Sequence, residues 1–303
     1  LTGSTAAGTG NTASSIYTTR YLEEGEAVPA GYKSMADPID PAKTLIFKDN
    51  SFKDELFRDT WWQNYYLGVN GGTDNVTYAL SLGYMDDDGV AIGTGFNRYT
   101  IKANTKIKAT KRIDLTFSLN YSEANKEEFD NQRNVISRGL AAAPTQKIYM
   151  EDGSPAPGYS ATSPNPVFYN YYNDQSKKTT YLTLSGSLKY KLYKGLALNA
   201  QGSVYRRRYD ANSFEKANKY SSERTTSAVR NNLDRNKLDV FLSYRQTFKK
   251  QHSISLVGGY AYQDELSDRT TVSGYGGSTD KITTLNGATT FDPNATTGIR
   301  EEL

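Results

Sequence analysis

Along Ile113–Tyr121 every second residue is apolar: Ile113, Leu115, Phe117, Leu119 and Tyr121 alternate with Asp114, Thr116, Ser118 and Asn120. Successive side chains of a strand point to opposite faces, so this stretch has one apolar and one polar side as β structure and no coherent face as a helix. The pattern repeats in Leu182, Leu184, Leu188, Tyr190 and Leu192, and in Leu196, Leu198, Ala200, Gly202 and Val204. It repeats again in Leu238, Val240, Leu242, Tyr244 and Phe248, and in Ile254, Leu256, Gly258, Tyr260 and Tyr262. Shorter versions lie at Tyr65–Val69, Val76–Tyr84 and Tyr99–Lys108. Eight strands are expected, most of them near the ~9–11 residues that carry a tilted strand through a bilayer.

The links alternate too. Gly71–Asn75, Lys111-Arg112, Tyr193–Gly195 and Lys249–Gln251 are tight. Asp86–Asn97, Ala124–Thr179, Tyr209–Ser227 and everything after Gln263 are longer and polar. Short turns on one side and long loops on the other predict an all-β, antiparallel, up-and-down transmembrane barrel of the outer-membrane type. A soluble sandwich has no reason to sort its connections by side. The chain therefore divides into a loop-rich lead-in over 1–60, barrel strands over 61–263 with a long extracellular loop at 124–179, and a polar loop over 264–303.

Within the lead-in, Leu1–Ser15 is almost entirely Gly, Ser, Thr, Ala and Asn and reads as loop,. Asp54–Arg58 suits one helical turn, and Asn131–Ala143 suits a helix stopped by Pro144,. Five prolines between Pro144 and Pro166 predict irregular backbone there. The chain starts at Leu1 and shows no charged segment followed by an apolar core, so it reads as an internal piece of a longer protein,.

Composition agrees with a barrel and narrows the chemistry. Apolar residues make up 37% of the chain and aromatic ones 12%, with 24 Tyr. That is low for a globular core, but ample when only alternate residues meet lipid. With no Cys there is no thiolate metal site or cysteine nucleophile,. His252 stands alone, so the chain holds no two-histidine metal site, and any Ser-His-Asp system would have to use it. The net charge of +3 gives no bulk field for nucleic acid,. No enzyme activity and no cofactor are expected.

A few residues invite functional readings. Arg206-Arg207-Arg208 is ordinarily a solvated strand end,. Parity adds a second reading, because Arg206 and Arg208 continue the lipid-facing series Leu196–Val204 at its loop end. Snorkelled guanidiniums there would meet lipopolysaccharide phosphates of the outer-membrane lipid. Phe168, Tyr169, Tyr171 and Tyr172 lie in the long loop and are candidates for substrate contact, since aromatic rings bind sugar faces and peptide side chains,. The alternative is that they pack the loop against its neighbours. Tyr84, Tyr121, Tyr190 and Tyr260 suit interface girdles. His252 follows a tight turn and reads as a turn residue, and Asp86–Gly89 reads as an acidic loop tip without the ligand pattern of a calcium loop,.

The strings around the strands also carry a family resemblance. Asn64-Tyr65-Tyr66-Leu67-Gly68-Val69-Asn70-Gly71-Gly72-Thr73 runs into Tyr78-Ala79-Leu80-Ser81-Leu82-Gly83-Tyr84, followed by Gly89-Val90 and Asn97-Arg98-Tyr99. This resembles the barrel of SusC/RagA-type TonB-linked outer-membrane transporters of Bacteroidetes, in which a strand ends in Ser-Gly-Gly-Thr. Asn70 replaces the family's usual Ser. Ala141–Pro144, Asp152-Gly153, Asn165-Pro166, Leu192–Leu196 and Gln251–Tyr260 are similar to further family strings in the same order. The resemblance covers about Asp54 to Gln263.

It implies a fragment of a roughly 22-stranded barrel around a plug. It implies import of oligosaccharides or peptides under a SusD-like lipoprotein lid, driven by TonB through a segment outside this chain. Two other classes stay open at this point: a surface-exposed β-rich glycan-binding adhesin, and a passive outer-membrane porin. They differ in where Leu182, Leu184, Leu196, Leu198 and Leu242 point: outward in a barrel, into a closed core in an adhesin sandwich.

Overall fold

The computed structural model of the protein describes residues 15–128, 135–249, 251–293 and 297–302. Eight long strands carry the architecture: β4 (Trp62–Gly72), β5 (Val76–Asp88), β6 (Gly95–Lys108), β7 (Ile113–Glu127), β10 (Asn173–Tyr193), β11 (Leu196–Glu215), β12 (Thr225–Phe248) and β13 (His252–Tyr275). Before them come β1 (Arg20–Tyr21), β2 (Lys33–Ala36), β3 (Thr44–Phe47) and the helix α1 (Phe52–Leu56). Between β7 and β10 lie α2 (Val135–Leu140), β8 (Gly158–Ser160), β9 (Ser163–Pro164) and α3 (Pro166–Tyr172). After β13 come β14 (Thr290–Phe291) and β15 (Thr297–Glu302).

The long strands form one sheet in which sequence neighbours pair throughout, with β14 and β15 both added to the β13 edge. All of its pairings are antiparallel. No second sheet covers its apolar face among the described residues. Leu184 is 43% exposed, Leu242 46% and Leu256 62%. The leucines do not meet in a closed core, so the sandwich expected of an adhesin is not what this sequence builds.

Register shows how the apolar residues line up. One row reads Leu67, Leu82, Ile101, Tyr121, Leu182, Arg206 and Asp234 across seven paired strands. The next row toward the long loops reads Tyr65, Tyr84, Tyr99, Glu123, Thr180, Arg208 and Asn232. Tyr84 stacks between Tyr65 at 6.4 Å and Tyr99 at 4.8 Å, which makes the start of an aromatic girdle,. The row is aromatic on β4–β6 and charged or polar on β11–β12, because the apolar band steps toward the tight turns by about one residue per strand. Tilted strands of a closing barrel require a stagger of this kind.

The strands are longer than their alternating segments. β12 and β13 each have 24 residues, roughly 80 Å of extended chain against the ~9–11 residues needed to cross a bilayer. The long links shrink accordingly. Tyr209–Ser227 is mostly strand with a link at 216–224, and the chain after Gln263 continues as strand to Tyr275. Beyond the apolar band both faces are polar, so period two disappears from the sequence while the backbone ladder persists.

The tight turns fall where expected. Gly195 has φ +79, and a Cβ there would lie 2.4 Å from the carbonyl oxygen of Arg245, so the β10–β11 turn needs glycine at that position,. Arg245 donates its backbone N–H to the Gly195 carbonyl at 2.8 Å, fastening the turn to β12.

At the other end of the sheet the lead-in and the long links fold together. β1, β3 and β2 form a small antiparallel sheet. Thr18 is held to the Thr145 carbonyl through its N–H at 2.7 Å and its hydroxyl at 2.8 Å. The side-chain amide of Asn50 donates to the Gln146 carbonyl at 2.8 Å. Phe52, Ile148 and Val167 form a compact apolar cluster, and Ile46 and Leu56 are wholly buried beside these elements. The expected helical turn at Asp54–Arg58 is α1, started two residues earlier by the Ser51 cap. The expected helix at Asn131–Ala143 is met by α2 over Val135–Leu140, and residues 131–134 lie outside the described ones.

Candidate functional site

The segment between Pro144 and Pro166 is irregular as expected, but Pro166 starts a helix that proline counting misses. Asn165 is almost wholly buried and caps α3. Its side-chain oxygen accepts from the Val167 N–H at 2.9 Å, and its amide donates to the Ile148 carbonyl at 2.8 Å,. Proline at the first helical position loses no hydrogen bond. α3 then ends where Asn173 donates both its N–H and its side-chain amide to the Tyr169 carbonyl.

This short helix sorts the four aromatic candidates. Phe168 and Tyr169 are buried at 5% and 4% exposure, while Tyr171 is 55% exposed. Phe168 packs on Tyr172 at 4.5 Å and edge-on against Tyr220 at 5.7 Å, and Tyr171 meets Tyr172 edge-on at 5.0 Å,. Lys216 sits over the Tyr171 ring at 5.1 Å and donates to its carbonyl at 2.7 Å. The Tyr220 hydroxyl donates to the carbonyls of Pro157 and Gly158, both at 3.1 Å, and burial raises the Tyr220 and Tyr172 hydroxyls above the usual tyrosine range.

Between these rings and residues 150–157 lies a cleft of about 400 Å³ lined by Phe168, Tyr172, Met150, Asp152, Pro157 and Lys219. Lys147 pairs with Glu151 at 2.6 Å, and Ser154 donates to Asp152 through its hydroxyl and its backbone N–H. Both carboxyls are thereby held below their ordinary range and stay ionised at neutral pH,. The cleft offers an aromatic wall and a charged rim. That arrangement binds by stacking and hydrogen bonding and supplies no nucleophile–base pair. Tyr220, Lys216 and Lys219 carry no signal in the sequence alone, since only folding brings the β11–β12 link onto α3.

Arg206 and Arg208 share one face, as parity predicts, but they are not isolated cations. Asp234, directly opposite Arg206 in the register, takes a hydrogen bond from Arg208 at 3.1 Å and a second, shorter one from the same guanidinium. The Arg206 Nε lies 3.6 Å from the same carboxylate, and its Nη2 donates to Asn236 at 2.9 Å. Arg207 points to the opposite face and donates to Asn231 at 3.2 Å. His252 is exposed and opens β13 opposite Phe248. Asp86 and Asp88 end β5 rather than forming a loop tip. Among the described residues no group of three or more His, Cys, Asp or Glu is placed to hold a metal ion.

No model of a known protein family matches the chain. Among curated proteins it is similar to the TonB-dependent receptor P26 of Formosa agariphila, with 29% identity over 127 residues, 41% of this chain and 12% of that protein. TonB-dependent receptor P3 of the same organism is 24% identical over 275 residues, 82% of this chain and 26% of that protein. TonB-dependent receptor SusC of Bacteroides thetaiotaomicron is 29% identical over 105 residues, 34% of this chain and 10% of that protein. The chain thus spans about a quarter or less of the length of these relatives. Among solved structures, the RagAB peptide transporter superposes with a TM-score of 0.69 at 18% identity, over 84% of this chain and 30% of that one. The same importer in its open-open state also gives a TM-score of 0.69. These relatives are receptors and transporters rather than enzymes. The strand order and the motif strings agree with these likenesses: the chain is similar to part of SusC and of other TonB-dependent receptors, and its antiparallel sheet has the fold of part of the RagAB peptide transporter.

Proposed function

We infer that the intact protein imports oligosaccharides or peptides across the outer membrane, driven by TonB and covered by a SusD-like lipoprotein. The observation that carries this reading is the uncovered apolar band on a single antiparallel sheet, seen in Leu184, Leu242 and Leu256. Only lipid satisfies such a face on a sheet whose other face is polar. The long links then face outward, toward the lid and the cargo. Phe168 and Tyr172 form the aromatic wall that meets what enters the cleft, with Tyr171 edge-on behind Tyr172 and Tyr169 buried in the helix that carries them.

A passive porin would present the same band. Uptake of a radiolabelled oligomeric nutrient by cells making the full-length protein separates the two. We expect a protonophore to lower the rate by more than about tenfold, because TonB draws on the inner-membrane proton gradient. Uptake that survives the protonophore unchanged is the porin's behaviour. Co-purification of a surface lipoprotein with the tagged transporter is expected alongside.

At the outer interface, Arg206 and Arg208 lie above the apolar band with one shared carboxylate, leaving one net positive charge for lipopolysaccharide phosphate. Arg206→Ala/Arg208→Ala is expected to lower the lipopolysaccharide retained by protein extracted from native membranes, and Asp234→Asn to raise it. Equal retention in wild type and both variants would sink this assignment.

A further inference from the structure

The two faces of the sheet differ in charge as well as polarity. Parity and register put Lys102 and Lys106 of β6, Lys189 of β10, and Lys237 and Arg245 of β12 on the polar face,. Along the eight long strands, basic residues on that face outnumber acidic ones by more than two to one. On the apolar-bearing face the ratio is reversed, with Asp86, Glu123, Asp210, Asp234 and Asp268 among its acids. The near-neutral total of the chain, +3, conceals this sorting.

The few acids on the polar face are partly taken. Asp114 lies 3.0 Å from Lys191, and Glu265 lies 2.5 Å from Arg235. Lys102, Lys106, Lys189, Lys237 and Arg245 are exposed and form no ion pair among the described residues. Between the β6 lysines and Lys237 runs a floor of small polar side chains. A hollow of about 390 Å³ there is lined by Thr116, Ser185, Ser187, Ser203, Lys237 and Asp239, and the Asp239 carboxylate accepts from the side-chain amide of Gln201 at 3.0 Å. Four strand spacings separate β6 from β12, roughly 19 Å at the usual interstrand distance.

A pleated wall needs polar residues on its wet face but no particular sign of charge, and like charges along it repel. Ammonium groups that form no ion pair among the described residues, flanking a floor of hydroxyls and amides, match a chain that alternates anionic groups with many hydroxyls. We propose that this wall takes a linear acidic oligosaccharide, bearing carboxylate or sulfate groups, as the cargo of the import reaction. The inference rests on the import reading above and names the substrate class within it. An acidic peptide matches the lysines but leaves the hydroxyl floor without its partners.

The test is calorimetric binding to the full-length transporter in detergent. The probes are an oligogalacturonate, a neutral maltooligosaccharide of equal length and a polyglutamate of equal charge. The oligogalacturonate is expected to bind at least about tenfold tighter than either of the others, with the advantage shrinking between 0.05 and 0.3 M salt as screening grows. Lys102→Glu/Lys106→Glu is expected to remove that preference while the melting temperature stays unchanged. Should that variant fail to fold, the salt dependence of the wild type decides alone. Three results overturn the proposal: equal or tighter binding of the neutral chain, preference for polyglutamate, or binding of none of the three. A loss of thermal stability in the variant with unchanged preference overturns it as well, and assigns the wall to a protein segment inside the barrel. Energised uptake of the neutral sugar would leave the import reading standing while this one falls.

Discussion

Replacing Leu184 by arginine is expected to destabilise the full-length barrel by about 2–4 kcal/mol, whereas arginine at the adjacent Ser185 changes stability by only about 0.5 kcal/mol. The two positions are neighbours on β10 and differ in the face they occupy. Leu184 pairs with Leu119 and Val204 in the apolar band, and Ser185 pairs with Ser118 and Ser203 on the polar wall. An arginine at Leu184 meets hydrocarbon within the band and is too far from its edges for its head group to escape fully into water. At Ser185 it joins the lysines of a wet lumen. Reversible unfolding in bilayers or micelles, followed by heat-modifiable migration on gels, reads the difference. Equal costs at the two sites would mean that the faces are not sorted between lipid and water, and would remove the basis of the barrel reading.

Leu56→Ala is expected to cost the loop cluster about 2–5 kcal/mol, the range for a large buried aliphatic cut to a methyl. Leu56 is wholly buried. It packs so closely against Gly139 that a Cβ on the glycine would lie 2.1 Å from Leu56 Cδ1. The neighbouring Ile92 N–H donates to the Leu56 carbonyl at 2.9 Å, so the β5–β6 link is tied to α1 as well. The loss is local. Hydrogen exchange should accelerate over residues 144–172 and 89–94 by the factor that the lost stability implies, while the paired strands from β10 to β13 keep their protection. Unchanged exchange in those links would show that α1 does not hold them. Because α3 forms one wall of the aromatic cleft, the same variant is expected to weaken whatever binding occurs there.

The membrane-crossing part of this architecture is legible in single residues. Ile113–Tyr121 alternates because one face meets lipid and the other water, and the eight alternating segments are the eight long strands of the sheet. The turns were legible for a related reason. Lys194-Gly195 sits at a bend that only a positive φ closes, and glycine is the residue that reaches it cheaply,.

Legibility stopped where alternation stopped. Asp264–Tyr275 and Arg206–Glu215 are strand with mostly polar residues on both faces, so nothing in their polarity distinguishes them from loop. Their pairing is a backbone property carried outward by the neighbouring strands. The aromatic candidates show the other limit. In the sequence Phe168, Tyr169, Tyr171 and Tyr172 read alike as rings in a loop, yet a helix of seven residues buries two of them and exposes a third. That sorting depends on Asn165 as a cap, on Ile148 accepting its amide, and on Tyr220 arriving from a link some fifty residues away.

By itself, then, the sequence determined the period, the faces and the alternation of turns and long links, because each depends only on neighbours along the chain and on whether a side chain meets lipid or water. Tertiary structure alone decided the register, and with it that Asp234 stands between Arg206 and Arg208 and that scattered lysines of β6, β10 and β12 share one wall. Those facts depend on which residues face one another across strands. That is set by hydrogen-bonded pairing between segments far apart in the chain, which no local pattern encodes.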